Sequence, residues 1–297
     1  MMRYADLHCD ALWRASLHPE EFSRLESEPF SGFDGRIQAF ALFLSEDADG
    51  NALFDAQLAL FHRWLSDGNL TLWGEKNGKY NKTAAFLTIE NAGKLSHDRW
   101  NAEFLWKHGI RFASLTWNGE NPLAGGCETG GPIREAGFHF VKAMREVGTI
   151  PDVSHLSEKG FYQLADAYDG VFVATHSNAA SVLPHKRNLS DDQLKILFAR
   201  GGLVGINLHA PFVSEKTPCS RKESIEALNR HLKHLLDLGG AEHLALGCDY
   251  DGGTPLFGLS GVKDLAIYYD DVLKYFGTAV ADRLFYDNVS EFLSRRF

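Results

Sequence analysis

The sequence lacks the features by which several large classes of protein are recognised. It has no uninterrupted apolar run of about 18 residues, which argues against a helix that spans a bilayer. It has no run of about five basic residues, and 30 Lys and Arg against 39 Asp and Glu leave a net charge of −9. This charge argues against nucleic acid or an anionic membrane surface as the main partner.

Cysteine is also scarce, and the chain contains no Cys-x-x-Cys pair. The four cysteines are far apart in sequence: Cys9, Cys127, Cys219 and Cys248. This spacing indicates free thiols in a reducing compartment rather than a disulfide framework or a cysteine-based zinc site. The N-terminal segment MMRYADLHCD becomes charged at Arg3 and lacks the apolar core of a signal peptide. We therefore expect a cytoplasmic protein.

Short apolar segments rich in β-branched residues alternate with longer amphipathic segments along the chain. The apolar segments predict eight strands, at residues 4–8, 37–44, 85–89, 111–116, 149–153, 171–175, 203–208 and 244–248. The amphipathic segments predict helices at about residues 51–66, 97–108, 134–147, 157–167, 190–199, 224–238, 262–276 and 279–294. Ser157 has the form of a helix N-cap, and Ser190 with Gln193 has the form of a capping box.

Strands that alternate with helices in this way favour an α/β fold of the TIM type, a (β/α)₈ barrel. The main alternative is a doubly wound sheet, which should carry a glycine-rich phosphate turn after its first strand. The segment DLHCDALW contains no such turn. No change of composition marks a linker, so residues 1–297 are predicted to form one barrel domain with C-terminal helices. The polar segment 74–82 is predicted to be an exposed hairpin or loop.

Side chains that can bind metal ions follow several of the predicted strands. They are His8 and Asp10 after the first strand, Glu90 after the third, His155 after the fifth, His176 after the sixth, and Asp249 and Asp251 after the eighth. His8 and Asp10 are two residues apart and would share one face of an extended strand. Because barrel active sites form at the carboxyl ends of the strands, these side chains should meet at one mouth. At each position taken alone, a polar residue that merely ends a strand is the alternative.

The chemistry of this set points to metal-assisted hydrolysis. Three imidazoles with two or three carboxylates suit zinc, or another divalent first-row ion, better than calcium or magnesium. One central carboxylate between a His–Asp pair and a His–His pair would make a binuclear site. Two cations lower the pKa of a bridging water and polarise a carbonyl. A further Asp that binds no metal can then carry the proton to the leaving amine.

Six segments, five of which carry these residues, occur in a fixed order between about residues 6 and 288. They are DLHCD, TIENAG, PDVSHLS, THSNAASVLPHKRNLSDDQL, and GGLVGINL followed by LGCDYDGG. Together they resemble the motifs of the membrane (renal) dipeptidase family of binuclear zinc peptidases. The resemblance implies a barrel of the metallo-dependent hydrolase (amidohydrolase) type and a dipeptidase with two divalent metal ions, zinc in the family. It further implies that His8 and Asp10 bind one ion, that Glu90 bridges, and that His155 and His176 bind the other.

The resemblance also implies residues that handle the substrate. Asp249 would be the acid/base, and Arg187, with Asn188 beside it, would bind the substrate and its terminal carboxylate. A planar guanidinium can pair with a carboxylate through two hydrogen bonds; a helix cap or a surface salt bridge is the alternative for Arg187. Asp251 is expected to orient its loop rather than to carry the proton.

One position departs from the family pattern. Where the family commonly has a His in an L-T-H segment that contacts the substrate, this chain has Trp117 in SLTWNGEN. Tryptophan donates one N–H but cannot carry a positive charge, so Trp117, Asn118 or another group would have to contact the substrate here. Asn207 and His209, after the seventh strand, are open to either a pocket or a packing role, and His231 and His234 are expected to be packing or surface histidines.

The expected function is therefore a dipeptidase that cleaves the amide bond of small dipeptides. An amidase, deacylase or lactonase in the same barrel is the alternative, because of Trp117. A barrel that only binds metal or ligand is the third hypothesis. The expected partner is a small-molecule or dipeptide substrate, with no nucleic acid and no membrane, and a homodimer follows only from the resemblance.

Overall fold

The structure, a computed structural model, describes residues 2–18, 33–68, 70–74 and 83–297. All strand pairs in this part of the chain are parallel. The strands are β1 Met2–Asp6, β2 Phe33–Phe43, β3 Leu70–Leu72, β4 Thr83–Glu90, β5 Ile110–Ser114, β6 Ile150–Asp152, β7 Val204–Ile206 and β8 Leu244–Leu246. Of the segment predicted to be a hairpin or loop, 74–82, all but Gly74 lies outside the described residues.

The helices follow the strands, as the alternation in the sequence predicts. They are α1 Ala11–Leu17, α2 Gly50–Ser66, α3 Ala102–Lys107, α4 Glu135–Val147, α5 Glu158–Ala167, α6 Asp191–Ala199, α7 Ala210–Val213, α8 Arg221–Asp237, α9 Leu265–Phe276, α10 Thr278–Asp282 and α11 Asn288–Ser294. Among the described residues, none of these helices combines the length and apolar character that crossing a membrane requires.

The sheet closes into a barrel, which confirms the predicted fold class. Its strand order is β6-β5-β4-β2-β1-β8-β7, and β3 is an extra strand that pairs with the start of β4. The segment at Val173 and Ala174 lies between β6 and β7. There Val153 N–H donates to the Val173 carbonyl at 2.8 Å, and Gly205 N–H donates to the Ala174 carbonyl at 2.8 Å. We refer to this segment as the sixth position of the barrel.

Several predicted boundaries differ from the structure. The predicted strand 171–175 forms isolated bridges from Val173 to Asp152 and from Ala174 to Val204 rather than a regular strand, because it bonds each neighbour at only a few residues. Strand β1 ends at Asp6, so His8 lies just beyond it. The predicted helix 97–108 is divided, because the Asn101 side chain accepts hydrogen bonds from the first turn of α3 and starts a new helix there.

Local capping signals were predicted correctly. The Ser157 hydroxyl accepts a hydrogen bond from Gly160 N–H at 2.9 Å at the start of α5. Ser190 and Gln193 form the reciprocal capping box at the start of α6. These caps fix where the two helices begin, and therefore how the chain leaves the fifth and sixth positions of the barrel.

The barrel interior is apolar at one end and polar at the other. An apolar cluster draws on β1, β2, β4, β5, β6, the sixth position and β8, through Ala5, Leu7, Ile37, Ala39, Phe86, Phe112, Ile150, Val173 and Ala245. Helix α11 adds Val289, Phe292 and Leu293 to this cluster and closes that end. The polar side chains that follow the strands therefore lie at the opposite, carboxyl end.

The histidines of α8 have packing roles, as expected. His231 is fully buried, its Nδ1 accepts from Ala179 N–H at 3.3 Å, and its Nε2–H donates to the Val213 carbonyl at 3.1 Å. The neutral ring satisfies both contacts, whereas a second proton would remove the acceptor. Burial accordingly lowers the pKa of His231 to about 4. His234 pairs with Asp191 through its Nε2 at 2.7 Å.

We predict that His231 makes the fold less stable in acid. Above a pH of about 6.5, the His231 ring is neutral in both the folded and the unfolded protein. Between pH values of about 6.5 and about 4, only the unfolded chain takes up the proton. This uptake should lower the free energy of unfolding by about 2 kcal/mol between pH 7 and pH 5. Urea unfolding at the two pH values should show that His231→Gln loses less unfolding free energy than the unchanged protein. The exposed control His139→Gln should lose as much as the unchanged protein, and an equal loss in His231→Gln would contradict the assignment.

Candidate metal centre and substrate cavity

A cavity of about 460 Å³ opens at the carboxyl end of the barrel. It is lined by residues that follow most of the strands: Asp10, Trp13, Phe43, Ser45, Glu46, Asp47, Glu90, Trp117, Asn118, His155, His209, Phe212, Asp249, Gly252 and Gly253. This volume is typical of sites for small molecules. The predicted convergence of strand-end side chains at one mouth therefore exists in the structure.

One group of donor atoms surrounds the His8 imidazole. Its Nε2 lies 3.3 Å from Asp10 Oδ2, 3.4 Å from Glu90 Oε2 and 3.9 Å from Asp249 Oδ1. All four side chains are buried or nearly so. The donor atoms of His8, Asp10 and Asp249 lie within 4.8 Å of one another, which is close enough for a shared cation.

A second group lies on the other side of the Glu90 carboxylate. Glu90 Oε1 lies 2.8 Å from His155 Nε2 and 3.9 Å from His176 Nε2. One oxygen of Glu90 thus faces His8, and the other faces the pair His155 and His176. This is the arrangement predicted for a bridging carboxylate between two metal ions.

The protonation of the His155 and His176 rings can be inferred from their hydrogen bonds. His155 Nδ1 lies 2.8 Å from Asn118 Oδ1, which can only accept, so Nδ1 carries the hydrogen. His176 Nδ1 lies 2.8 Å from Thr175 Oγ1, whose own hydrogen is donated to Asp152 Oδ2 at 2.5 Å. His176 Nδ1 therefore also carries the hydrogen. The Nε2 atom of each neutral ring is left with a bare lone pair.

These two lone pairs face each other. The Nε2 atoms of His155 and His176 are 2.9 Å apart. Burial, together with the charges of Arg187 and His8, lowers the pKa of both rings well below the usual value, so neither takes a second proton to relieve the repulsion. Neutral imidazole nitrogen is a preferred ligand of zinc and similar ions. The donor set therefore fits a divalent cation held by His155, His176 and Glu90.

The support of these histidines was not predicted from the sequence, where Asn118 was expected only to contact the substrate. The chain Asp152–Thr175–His176 fixes one ring, and Asn118 fixes the other, so Asn118 orients a histidine as well as lining the cavity. Side chains that hold the second nitrogen of a metal-binding histidine typically determine its tautomer and orientation. The position of Asp152 three residues before His155, at the end of the same strand, was the available signal.

Asp6 ties the first and last strands together below the site. Its Oδ1 accepts from His8 N–H at 3.2 Å and from Cys248 N–H at 2.9 Å, and its Oδ2 accepts from Tyr4 Oη–H at 2.8 Å. Burial raises the pKa of Asp6, while these hydrogen bonds lower it. The carboxylate thereby fixes the backbone immediately around His8 and immediately before Asp249.

The backbone at the site adopts an uncommon conformation. The non-glycine residues with positive φ in the described part of the chain are Asn91, His155, Asp249 and Asp251, with φ between 59° and 69°. Two of these are cavity residues, and Asn91 follows Glu90. Left-handed backbone costs about 1 kcal/mol or more at such residues and is often found where function requires it.

Gly252 is required by a close approach to Asp10. A Cβ at Gly252 would lie 1.9 Å from Asp10 Oδ2, so no larger residue fits without displacing that carboxylate. The loop after β8 therefore packs directly against the His8–Asp10 group. This contact brings Asp249 next to that group.

Burial and mutual charge perturb the acids and bases of the site. Burial raises the pKa of Asp249 to about 6 and that of Glu90 well above its usual value. Burial lowers the pKa of His8, but the carboxylates of Asp10, Glu90 and Asp249 raise it more, to about 10. Asp249 Oδ2 accepts a hydrogen bond from Asn207 Nδ2 at 3.0 Å. Asn207 is fully buried beside Asp249 and is not part of the cavity lining. Of the two roles that the sequence left open for Asn207, a pocket role or a packing role, it therefore has the packing role.

Arg187 and Asn188 lie behind the cavity wall rather than on its surface. Arg187 is buried, its Nη2 donates to the His176 carbonyl at 3.2 Å, and its Nε has no hydrogen-bond partner in the described structure. Asn188 Nδ2 donates to the carbonyls of Leu183 and Phe212. These bonds give Asn188 a structural role in the loop, and its predicted contact with substrate stays a prediction.

Trp117 forms part of an aromatic wall. Its ring centroid lies 5.3 Å from that of Phe43 and 6.0 Å from that of His155. Trp13, Phe43, Glu46 and Asp47 complete this side of the cavity and were not singled out from the sequence. The acidic stretch that directly follows β2 was the signal that would have identified Glu46 and Asp47.

On the opposite side of the cavity, His209 has the pocket role, one of the two roles that the sequence left open for it. It lines the cavity, and its Nδ1 accepts from Thr254 N–H at 2.6 Å. The neutral ring therefore carries its hydrogen on Nε2. Asp251, in contrast, is exposed and is absent from the cavity lining, and its predicted role in the loop stays a prediction.

Comparison with solved structures shows the fold. A metallopeptidase from Rhodobacter sphaeroides, crystallised with a phosphinate mimic of L-Ala-D-Ala, superposes with a TM-score of 0.86 at 23% identity and covers 100% of this chain and 99% of its own. An amidohydrolase from Pseudomonas aeruginosa superposes with a TM-score of 0.80 at 18% identity. This superposition covers 98% of this chain and 95% of the amidohydrolase. The chain therefore has the TIM-barrel fold of these proteins.

Comparison of sequences identifies the family. A protein in the pqqA 5′ region of Klebsiella pneumoniae is 32% identical over 174 residues, which cover 56% of this chain and 64% of that protein. A dipeptidase of Schizosaccharomyces pombe is 31% identical over 172 residues, 56% of this chain and 40% of that protein. The matched region thus spans roughly half the length of these relatives. The model of the membrane dipeptidase family (peptidase family M19) matches residues 37–289. The chain belongs to the membrane dipeptidase family.

Proposed function

We propose that the protein is a metal-dependent dipeptidase that hydrolyses the amide bond of small dipeptides and binds two divalent ions, zinc by preference. The observation that carries the proposal is the pair of bare Nε2 atoms of His155 and His176, 2.9 Å apart beside a carboxylate whose other oxygen faces His8. His8 and Asp10 would hold one ion, His155 and His176 the other, and Glu90 would bridge. Membership of the family supports this reading.

The bound ions would supply Lewis acidity that activates a water and polarises the substrate carbonyl. The protein side chains would transfer the proton and bind the substrate. Asp249 would take a proton from the attacking water and pass it to the leaving amine, while Asn207 holds its Oδ2 and its Oδ1 faces His8.

Arg187 would bind the free carboxylate of the substrate. Its buried Nε has no hydrogen-bond partner among the described residues and is therefore available to a charged acceptor. The cavity volume of about 460 Å³ suits a substrate of dipeptide size. The structural neighbour from Rhodobacter sphaeroides was crystallised with a dipeptide mimic, which supports the same substrate class for this chain.

The alternatives drawn from the sequence gain no separate support. Neither the family match nor the cavity favours an amidase, deacylase or lactonase over a dipeptidase. A barrel that only binds a ligand would not need Asp249 held at the mouth by Asn207. The cytoplasmic location and the homodimer stay predictions.

We predict that Thr175→Val weakens metal binding about 10- to 100-fold, because the hydroxyl that orients His176 is lost while the side-chain volume is kept. Competition with a chromophoric chelator measures this directly and without reference to activity. The exposed control Thr129→Val, whose hydroxyl bonds the Gly126 carbonyl, should bind metal normally. Unchanged metal affinity in Thr175→Val would show that the ring needs no such support.

We predict that Asp249→Asn lowers kcat about 10²–10⁴-fold with metal content unchanged, because the amide cannot carry the proton. Steady-state hydrolysis of a dipeptide by metal-loaded protein, with metal analysis of the same sample, is the measurement. Asp251→Asn is the matched control, and its kcat should stay within a few-fold of the unchanged protein. If Asp251→Asn had the larger effect on kcat, the proton carrier would be the other aspartate of the loop.

We predict that Arg187→Met raises KM for a free dipeptide much more than for the same dipeptide with an amidated C-terminus. Loss of a buried, charge-assisted pair should change kcat/KM for the free acid about 10²-fold. The adjacent exposed Lys186, which pairs with Glu128, provides the control Lys186→Met with little expected change. Equal effects of Arg187→Met on the acid and the amide would exclude carboxylate recognition at this residue.

A further inference from the structure

The two sides of the cavity differ in charge. On one side, the Arg187 guanidinium lies behind Phe212, with its carbon 5.4 Å from the ring centroid. On the other, Glu46 and Asp47 line the wall formed by the loop after β2. In the closed barrel, β4, β5 and β6 separate β2 from the sixth position, which leads to Arg187. The cationic and acidic groups therefore face each other across the mouth.

Within the part of the chain that the structure describes, the acidic side is only partly neutralised. Within the described residues, Asp47 makes no hydrogen bond or ion pair. Glu46 Oε1 accepts a hydrogen bond from Gly119 N–H at 2.7 Å, and the nearby Lys94 Nζ donates to the backbone carbonyl of Glu46 at 2.8 Å. Among the described residues, two carboxylates against one ammonium give this exposed wall a net negative charge.

The same wall contains three aromatic rings, each packed against the next. The centroids of Trp13 and Phe43 are 5.4 Å apart with planes at 84°, and those of Phe43 and Trp117 are 5.3 Å apart with planes at 62°. Aromatic faces pack against aliphatic chains and attract a cation at their end. A side chain with a long aliphatic stem and a positive head matches both properties of the wall.

We propose that Trp13, Phe43, Glu46, Asp47 and Trp117 form a subsite that selects dipeptides whose N-terminal residue has a cationic side chain, such as lysine, ornithine or arginine. The proposal rests on the proposed dipeptidase function, because a substrate carboxylate at Arg187 directs the other residue toward the acidic wall. It deepens that function by naming the substrate class.

The test compares lysyl-alanine with norleucyl-alanine, which has the same carbon chain without the amine, on the metal-loaded full-length protein. We expect kcat/KM to favour the lysyl dipeptide about tenfold. Asp47→Asn and Glu46→Gln should each lower this ratio, and together they should bring it close to one; Gln at position 46 keeps the acceptor for Gly119 N–H. The control Asp67→Asn removes an exposed charge at the far end of α2 and should leave the ratio unchanged.

The outcomes separate the subsite from the function on which it rests. Hydrolysis of both dipeptides at equal kcat/KM, or a preference that survives in the double variant, overturns the subsite and leaves the dipeptidase. Hydrolysis of neither dipeptide overturns both. A preference for lysine that is lost in the double variant, kept in Asp67→Asn and weakened by added salt is the supporting result.

Discussion

The contact between the imidazoles of His155 and His176 is the constraint around which the rest of the mouth is arranged. Both rings carry their hydrogen on Nδ1, so two bare Nε2 atoms face each other at 2.9 Å. In a buried site this repulsion is strong, because no water screens it. A cation turns the repulsion into coordination. Holding the two bare nitrogen atoms this close therefore costs free energy unless a cation lies between them.

The surrounding structure holds these groups in place in spite of that cost. Thr175 and Asp152 fix His176, Asn118 fixes His155, and Asp6 bonds the backbone of β1 and the start of the loop after β8. His155 and Asp249 have left-handed backbone, which only a well-packed framework maintains. These supports share one property. Each connects adjacent positions of the barrel, so the site is complete only when the sheet is closed.

The two sides of the cavity above the cluster differ in their side chains and charge, so they would favour one orientation of a bound substrate. Arg187 and Phe212 lie on one side, and Trp13, Phe43, Trp117, Glu46 and Asp47 lie on the other. At Trp117 the sequence resemblance implies a histidine in other members of the family, and in the structure Trp117 is part of the aromatic wall beside His155. The substitution therefore alters the surface that a substrate would meet while leaving the cluster of donor atoms intact.

The alternation of strands and helices, the caps of two helices and the polar residues after the strands were readable from the sequence, because each depends on local spacing and side-chain chemistry. The convergence of His8, Asp10, Glu90, His155, His176 and Asp249 followed from those features once a barrel was inferred. Long-range contacts were not readable. The bridging form of the sixth position, the tautomers of two histidines, the structural bonds of Asn188 and the facing walls of the cavity depend on which distant segments meet. Only closure of the barrel decides that, because the partners are supplied by strands far apart in the chain.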